Sequence, residues 1–184
     1  TIAAPLTTAP QLSLLAGVAA YDAIRAVAPA GTLPALQLKW PNDVLLGHAK
    51  LAGILPESSS GPSHDTGYSV AIGWGINLAA HPDLPHRPST DLSAHGVAIA
   101  PETMLSSLGC HAMRWLQAWA GGRNFDAVRT AWLQRAIKPG QNLIINTGSG
   151  PTEGNFHGLD ADGALLLAQG EGRLRRFTFG DVTL

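Results

Sequence analysis

The sequence predicts an α+β fold. A mostly antiparallel sheet packed with helices occupies residues 1–138, and a small all-β domain follows over residues 139–184. Three observations carry this. Apolar residues recur at steps of three and four in three separate stretches, the period of a helix with one buried face. Between the first and second of these stretches lie short apolar segments punctuated by Pro, Gly, Asn and Asp, as strands and turns are. After Pro139-Gly140 the helical period stops, and only short apolar segments with Gly- and Asp-rich turns remain.

In chain order, Leu12, Leu15, Ala19, Ala23 and Val27 form the first helical stripe, which Pro29 and Gly31 end. Residues 36–40 predict a strand, Pro41-Asn42-Asp43 a turn, residues 44–46 a second strand, Gly47-His48 a turn, and residues 51–55 a third strand. Residues 58–67 are polar and predict a loop; residues 68–78 predict a buried strand. Residues 81–101 are Pro-rich and predict a loop with a short helix near Asp91. Leu105, Leu108, Ala112, Leu116 and Trp119 form the second stripe, opening at Pro101 and ending at Gly121-Gly122. Asn124 is placed to cap a third helix carrying Phe125, Val128, Trp132 and Ala136. Trp115, Trp119 and Trp132 lie on helical faces and predict core. Residues 143–146, 154–159, 164–168 and 174–179 predict the strands of a small barrel or sandwich.

The composition narrows the function. With 184 residues, 45% of them hydrophobic and 14% charged, the chain can bury a core and is not disordered. Lys+Arg 12 against Asp+Glu 13 leaves a net charge of -1, which argues against nucleic acid as a partner. The single cysteine, Cys110, can form neither an intrachain disulfide nor a cysteine-only zinc site. No apolar stretch near the start approaches bilayer length, so no membrane partner is expected and a cytoplasmic protein is. The histidines lack zinc spacing and Ser106-Ser107 lacks a nucleophile elbow, so no protein-held metal is expected.

Polar information concentrates in Lys39-Trp40-Pro41-Asn42-Asp43 and Lys50-Leu51-Ala52-Gly53-Ile54-Leu55. An ammonium suits a carboxylate or phosphate oxygen, and an Asn amide suits a nucleobase edge. Gly53 inside a strand needs a reason: close approach of a ligand, or a bulge. Gly73-Trp74-Gly75-Ile76-Asn77 places two side-chain-free positions on one strand face, a flat floor for a planar ligand or for tight packing. Arg173, Arg175 and Arg176 read as a solvated strand face, with reach to a phosphate as the functional alternative.

These stretches, followed in order by Ile72-Gly73-Trp74-Gly75-Ile76-Asn77-Leu78, resemble the signature of biotin protein ligases. The resemblance runs over nearly the whole chain, including Gly158-Leu159-Asp160 and Gly180-Asp181-Val182. It implies a class II synthetase-like catalytic domain followed by an SH3-like β-barrel. It implies activation of biotin with ATP and Mg²⁺ to biotinyl-5′-adenylate, then transfer to one lysine of a biotin carboxyl carrier domain. By matching positions, Lys50 would hold the biotin carboxylate and the forming acyl phosphate. Gly53, Leu55 and Gly73 would line the biotin pocket, and Asn42 and Asn77 would belong to the ATP side. Asp43 would orient or deprotonate the acceptor lysine, and the C-terminal domain would cover the ATP site. A homodimer formed through sheet edges is also implied.

One geometric demand follows. Gly53 and Leu55 share a strand face, whereas Lys50 has the opposite parity. Either Lys50 precedes the regular strand or a bulge re-aims it. The Gly-Arg-Gly-Arg-type loop that the resemblance places before the first helix has no match in these residues, and the expectation is that they belong to a longer protein. Two competing readings remain. A lipoate or octanoate ligase of the same superfamily is one, which the full Lys-Trp-Pro-Asn-Asp pattern argues against; a non-catalytic biotin- or carrier-binding module is the other. Biotin-dependent DNA regulation would require a winged helix not seen in these residues.

Overall fold

A computed structural model describes residues 8–60, 68–83 and 87–184, without the side chains of residues 59, 60, 68 and 171. The first helix, α1 (Ala9–Val27), is buried along most of its circumference, from Leu12 through Ile24. A helix apolar on so many sides needs neighbours on several sides. The first sheet covers one, and α2 (Pro101–Trp119) and α3 (Phe125–Arg135) cover the rest. The first sheet contains β1 (Leu36–Lys39), β2 (Asp43–Leu46), β3 (Ala49–Ser60) and β4 (Tyr68–Ile76), antiparallel and in that order. The indole N–H of Trp74 donates to the Ala16 carbonyl and ties β4 to α1.

The helices depart from expectation at single residues. Proline opens α2 with Glu102 in its first turn, where an acid complements the helix dipole. Its buried stripe begins at Met104 rather than Leu105, which is exposed. Met104 and Leu108, four residues apart, share the face that packs inward, and Leu105 is turned away from it. Trp119 and Trp132 are buried, but Trp115 is only partly so. Its indole N–H donates to Asp22 Oδ2 at 2.9 Å, and the Arg135 guanidinium lies over both the Tyr21 and Trp115 rings. Asn124 precedes α3 but does not cap it with its side chain; its amide donates to the Ala118 carbonyl instead. Residues 58–60, expected as loop, extend β3, because they pair with residues 68–70 of β4. The remainder of that expected loop, residues 61–67, lies outside the described residues, as do residues 84–86 with His86. A single 3-10 turn at Ser93–His95 is the short helix expected near Asp91.

The second sheet contains β5 (Asn142–Thr147), β6 (Gly150–Leu159), β7 (Leu165–Ala168), β8 (Leu174–Phe177) and β9 (Asp181–Thr183), in the order β8-β7-β6-β5-β9. Its two edge strands are consecutive in the chain. A flat sheet would set them about 19 Å apart, and the link 178–180 can span only about 15 Å, so the sheet must curl. The two sheets share one buried cluster. Trp132 meets Phe156 edge-on at 6.4 Å, and the Ile137 N–H donates to the Leu38 carbonyl.

Candidate active site

Each face of the first sheet has its own chemistry. Leu38, Val44, Ala52 and Ile76 form one cross-strand row, apolar and turned toward α1. Lys39, Asp43, Gly53 and Gly75 form the next row on the opposite face, and Leu55 with Gly73 continues it. The open face is thus charged at one end and bare at the other.

Lys50 joins this face through a β-bulge. Val44 pairs with Ala52 but Leu45 pairs with Lys50, which leaves Leu51 as the extra residue. Leu51 stays fully buried, and the change of parity brings Lys50 Nζ to 2.5 Å from Asp43 Oδ1. The bulged backbone is held from outside the sheet: the Lys50 N–H donates to the Pro88 carbonyl, and the Lys50 carbonyl accepts from the Thr90 N–H. The Asn77 side chain donates to the Thr90 carbonyl at 2.8 Å and fastens that segment. Asn42, in the turn after the cis Trp40–Pro41 bond, donates to the Ile54 carbonyl at 2.7 Å and braces the same strand.

Asp43 lies between two ammonium groups. Lys39 Nζ is 2.9 Å from Oδ2, and Lys50 Nζ is beside Oδ1. Asp43 is 11% exposed and Lys39 13%, against 39% for Lys50. Asp43 Oδ1 has charge beside it but no donor aligned for a hydrogen bond. Lys39 also donates to the Val182 carbonyl of β9 at 2.7 Å, which carries the second sheet to the edge of the site. A cavity of about 500 Å³ opens there, lined by Lys39, Asp43, Lys50, Arg87, Asp181 and Val182 among others, with Arg87 and Asp181 ion-paired.

Gly53 now has its reason. A Cβ there would stand 3.0 Å from Lys50 Nζ and 3.1 Å from its Cε, so the lysine lies directly over the missing side chain. Gly73 and Gly75 differ: a Cβ at either would make only ordinary contacts with the Leu55 or Gly53 carbonyl. Packing among the described residues does not require them bare, and Leu55 beside them is 61% exposed. An apolar, uncovered floor next to two cations suits a ligand with a flat body and an anionic end.

The loop after β4 is pinned by Asp91, which is buried. His81 bonds its Oδ2 at 2.7 Å, while the Ala94 N–H and Ser93 hydroxyl donate to Oδ1. The bond to His81, then those to Ala94 and Ser93, hold its carboxyl down at about 2. Lys39 stood in the polar cluster of the sequence without a role of its own, and Arg87 and the Asp91–His81 pair were not singled out. The four-residue spacing of Lys39 and Asp43 around a turn could have shown the first; nothing local announces the others. Arg173, Arg175 and Arg176 are exposed, as expected of a solvated strand face, and Arg175 and Arg176 have partners within the second domain. Arg175 donates to the Thr152 hydroxyl and lies over Phe177, and Arg176 pairs with Asp160 and Asp162. Among the described residues no group of three His, Cys, Asp or Glu is arranged to hold a metal, and no helix is long and apolar enough to cross a membrane.

The family model described as Biotin/lipoate A/B protein ligase family matches residues 3–134, and that described as Biotin protein ligase C terminal domain matches residues 140–184. A biotin--[acetyl-CoA-carboxylase] ligase of Paracoccus denitrificans is 41% identical over 172 residues, covering 90% of this chain and 69% of the relative. The bifunctional ligase/repressor BirA of Bacillus subtilis is 34% identical over 186 residues, and the match spans 98% of this chain but only 54% of that protein. Biotin protein ligase from Aquifex aeolicus shares the fold: its apo structure superposes with a TM-score of 0.76 at 21% identity, covering 97% of this chain and 76% of that one.

Proposed function

Since the chain belongs to the biotin/lipoate A/B protein ligase family, we propose that it carries the catalytic face of an ATP-dependent biotin protein ligase. The observation that supports this best is the bulge that turns Lys50 onto the open face, beside Asp43 and above a bare glycine floor. In the first step a biotin carboxylate oxygen bonds to the α-phosphorus of ATP, the α–β phosphoanhydride bond breaks, and pyrophosphate leaves. Negative charge builds on the phosphate oxygens, and the Lys50 ammonium stands where it offsets that charge. Gly53, Leu55 and Gly73 make the apolar wall for the biotin rings.

In the second step the amine of a carrier-domain lysine attacks the acyl carbon and AMP leaves. The amine must first lose a proton, and Asp43 is the carboxylate placed to receive it or to orient it. Asp43 would have to exchange its contact with Lys50 for the incoming group. Asn42 and Asn77 belong to the ATP side of this reading. One N–H of Asn42 and the Asn77 amide already hold carbonyls, so the two residues contribute by shaping that wall and offering an acceptor. Mg²⁺ would arrive on the nucleotide as part of the substrate, since the described residues offer it no cluster of ligands. The partner is a biotin carboxyl carrier domain, the compartment is the cytoplasm, where ATP is supplied, and a homodimer would use an edge of the first sheet.

The test is biotin-dependent pyrophosphate release by the full chain, followed by mass spectrometry of a carrier domain. Faster release with lipoate or octanoate than with biotin would transfer the reading to that acid. Biotin binding without pyrophosphate release would make the chain a binding module.

A further inference from the structure

We infer that Lys39 is a positioning residue that frees Lys50 for the substrate by remaining as the counter-ion of Asp43; this rests on the biotin-ligase reading of the site. Asp43 is largely buried and carries an ammonium on each oxygen. A buried carboxylate stripped of its partner is strongly destabilising. If Lys50 were the sole partner, its move to a substrate phosphate would leave an unpaired carboxylate beside growing negative charge. Lys39 removes that conflict. Two lysines against one carboxylate leave a net positive charge, which suits an anionic substrate.

The two lysines are built for different tasks. Lys39 stands directly across the β1–β2 pair from Asp43 and is further fixed by its bond to the Val182 carbonyl. Lys50 is three times as exposed, crosses an empty Gly53, and meets an Asp43 oxygen without hydrogen-bond alignment. Lys50 is the one free to turn. The Val182 bond also makes β9 part of the arrangement: the C-terminal strand holds Lys39, and Lys39 holds Asp43.

Lys39→Met keeps the length of the side chain and removes its charge. In the full chain it should lower the kcat of biotin-dependent pyrophosphate release by on the order of tenfold to a hundredfold, less than the loss of a direct donor to the transition state. The KM for biotin should move little, and Lys39→Arg should restore part of the rate. Adding Asp43→Asn to Lys39→Met should recover part of the lost pyrophosphate release, because no carboxylate remains to retain Lys50. A double variant as impaired as Lys39→Met, or more so, would overturn the inference, since that is what a merely structural lysine gives. A second readout does not depend on catalysis: backbone amides of β9 should exchange with deuterium faster in Lys39→Met than in the unsubstituted protein. Unchanged exchange would overturn the tie to β9. Failure of the unsubstituted protein to release pyrophosphate with biotin would instead refute the biotin-ligase reading, and the exchange measurement would still decide the Lys39 contact.

Discussion

At the scale of single residues the site turns on how Lys50 and Gly53 share one space. Lys50→Ala removes the ammonium proposed to meet developing charge, and should slow pyrophosphate release by about a hundredfold to a thousandfold while the chain stays folded. A folded Lys50→Ala protein with a near-normal rate would end this role. Gly53→Ala puts a methyl against Nζ and Cε of the same lysine. The far end of a lysine yields easily, so the melting temperature should hardly change, but the displaced ammonium should cost up to about a hundredfold in kcat. A large drop in melting temperature with kcat preserved would mean that Gly53 serves packing alone. Asp43→Asn should damage transfer to the carrier lysine more than adenylate formation, and separate assays of the two half-reactions check it. These positions were legible in the sequence as a parity conflict among residues 50, 53 and 55. Lys39 was legible as a member of the polar cluster, but its role was not, because that role also depends on the Val182 carbonyl, 143 residues away in the chain.

At the scale of elements, the sequence pattern recovers what local periodicity controls and misses what distant partners control. All three helices were legible, and so were the Pro and Gly boundaries of the first two; the third ends at Arg135, short of Pro139-Gly140, because Ala136 turns extended and bridges to Leu38. Met104 taking the place of Leu105, and Asn124 turning to Ala118 instead of capping, were decided by tertiary neighbours. The bulge could be demanded from parity, yet Leu51 as its extra residue could not, since the backbone of residues 88–90 holds it in place. The loop after β4 gives a prediction of its own. The Asp91 carboxyl lies well below its ordinary value of 3.8, at about 2, so its ionised form favours the folded state. That contribution is complete above pH 3.8 and is lost as pH falls through about 2. Asp91→Asn should therefore be less stable than the unsubstituted protein at neutral pH, with the gap closing over this acid range. Denaturant titrations at a series of pH values measure it, and a gap that stays constant down to pH 2 would show that Asp91 is not the pin of the loop.

At the scale of the whole molecule, only strands and one 3-10 turn follow α3, and the buried cluster runs across that junction. Trp132 and Phe156 meet there, Arg129 donates to the Leu159 carbonyl, and Trp40 donates to the Gly163 carbonyl. Gly163 is a close approach within this contact. Its φ of +89° disfavours a side chain, and a Cβ would stand 2.7 Å from Leu14 Cδ1 and 3.0 Å from Phe125 Cζ. Gly163→Ala forces an overpacked interface and should cost about 1–3 kcal/mol. Trp132→Ala opens a cavity on the other side and should cost about 3–5 kcal/mol. Because the cluster is continuous, both losses should move a single unfolding transition that includes the second sheet, with the calorimetric and van't Hoff enthalpies equal. Two resolved transitions, with only the second shifted by Gly163→Ala, would show that the sheets fold separately.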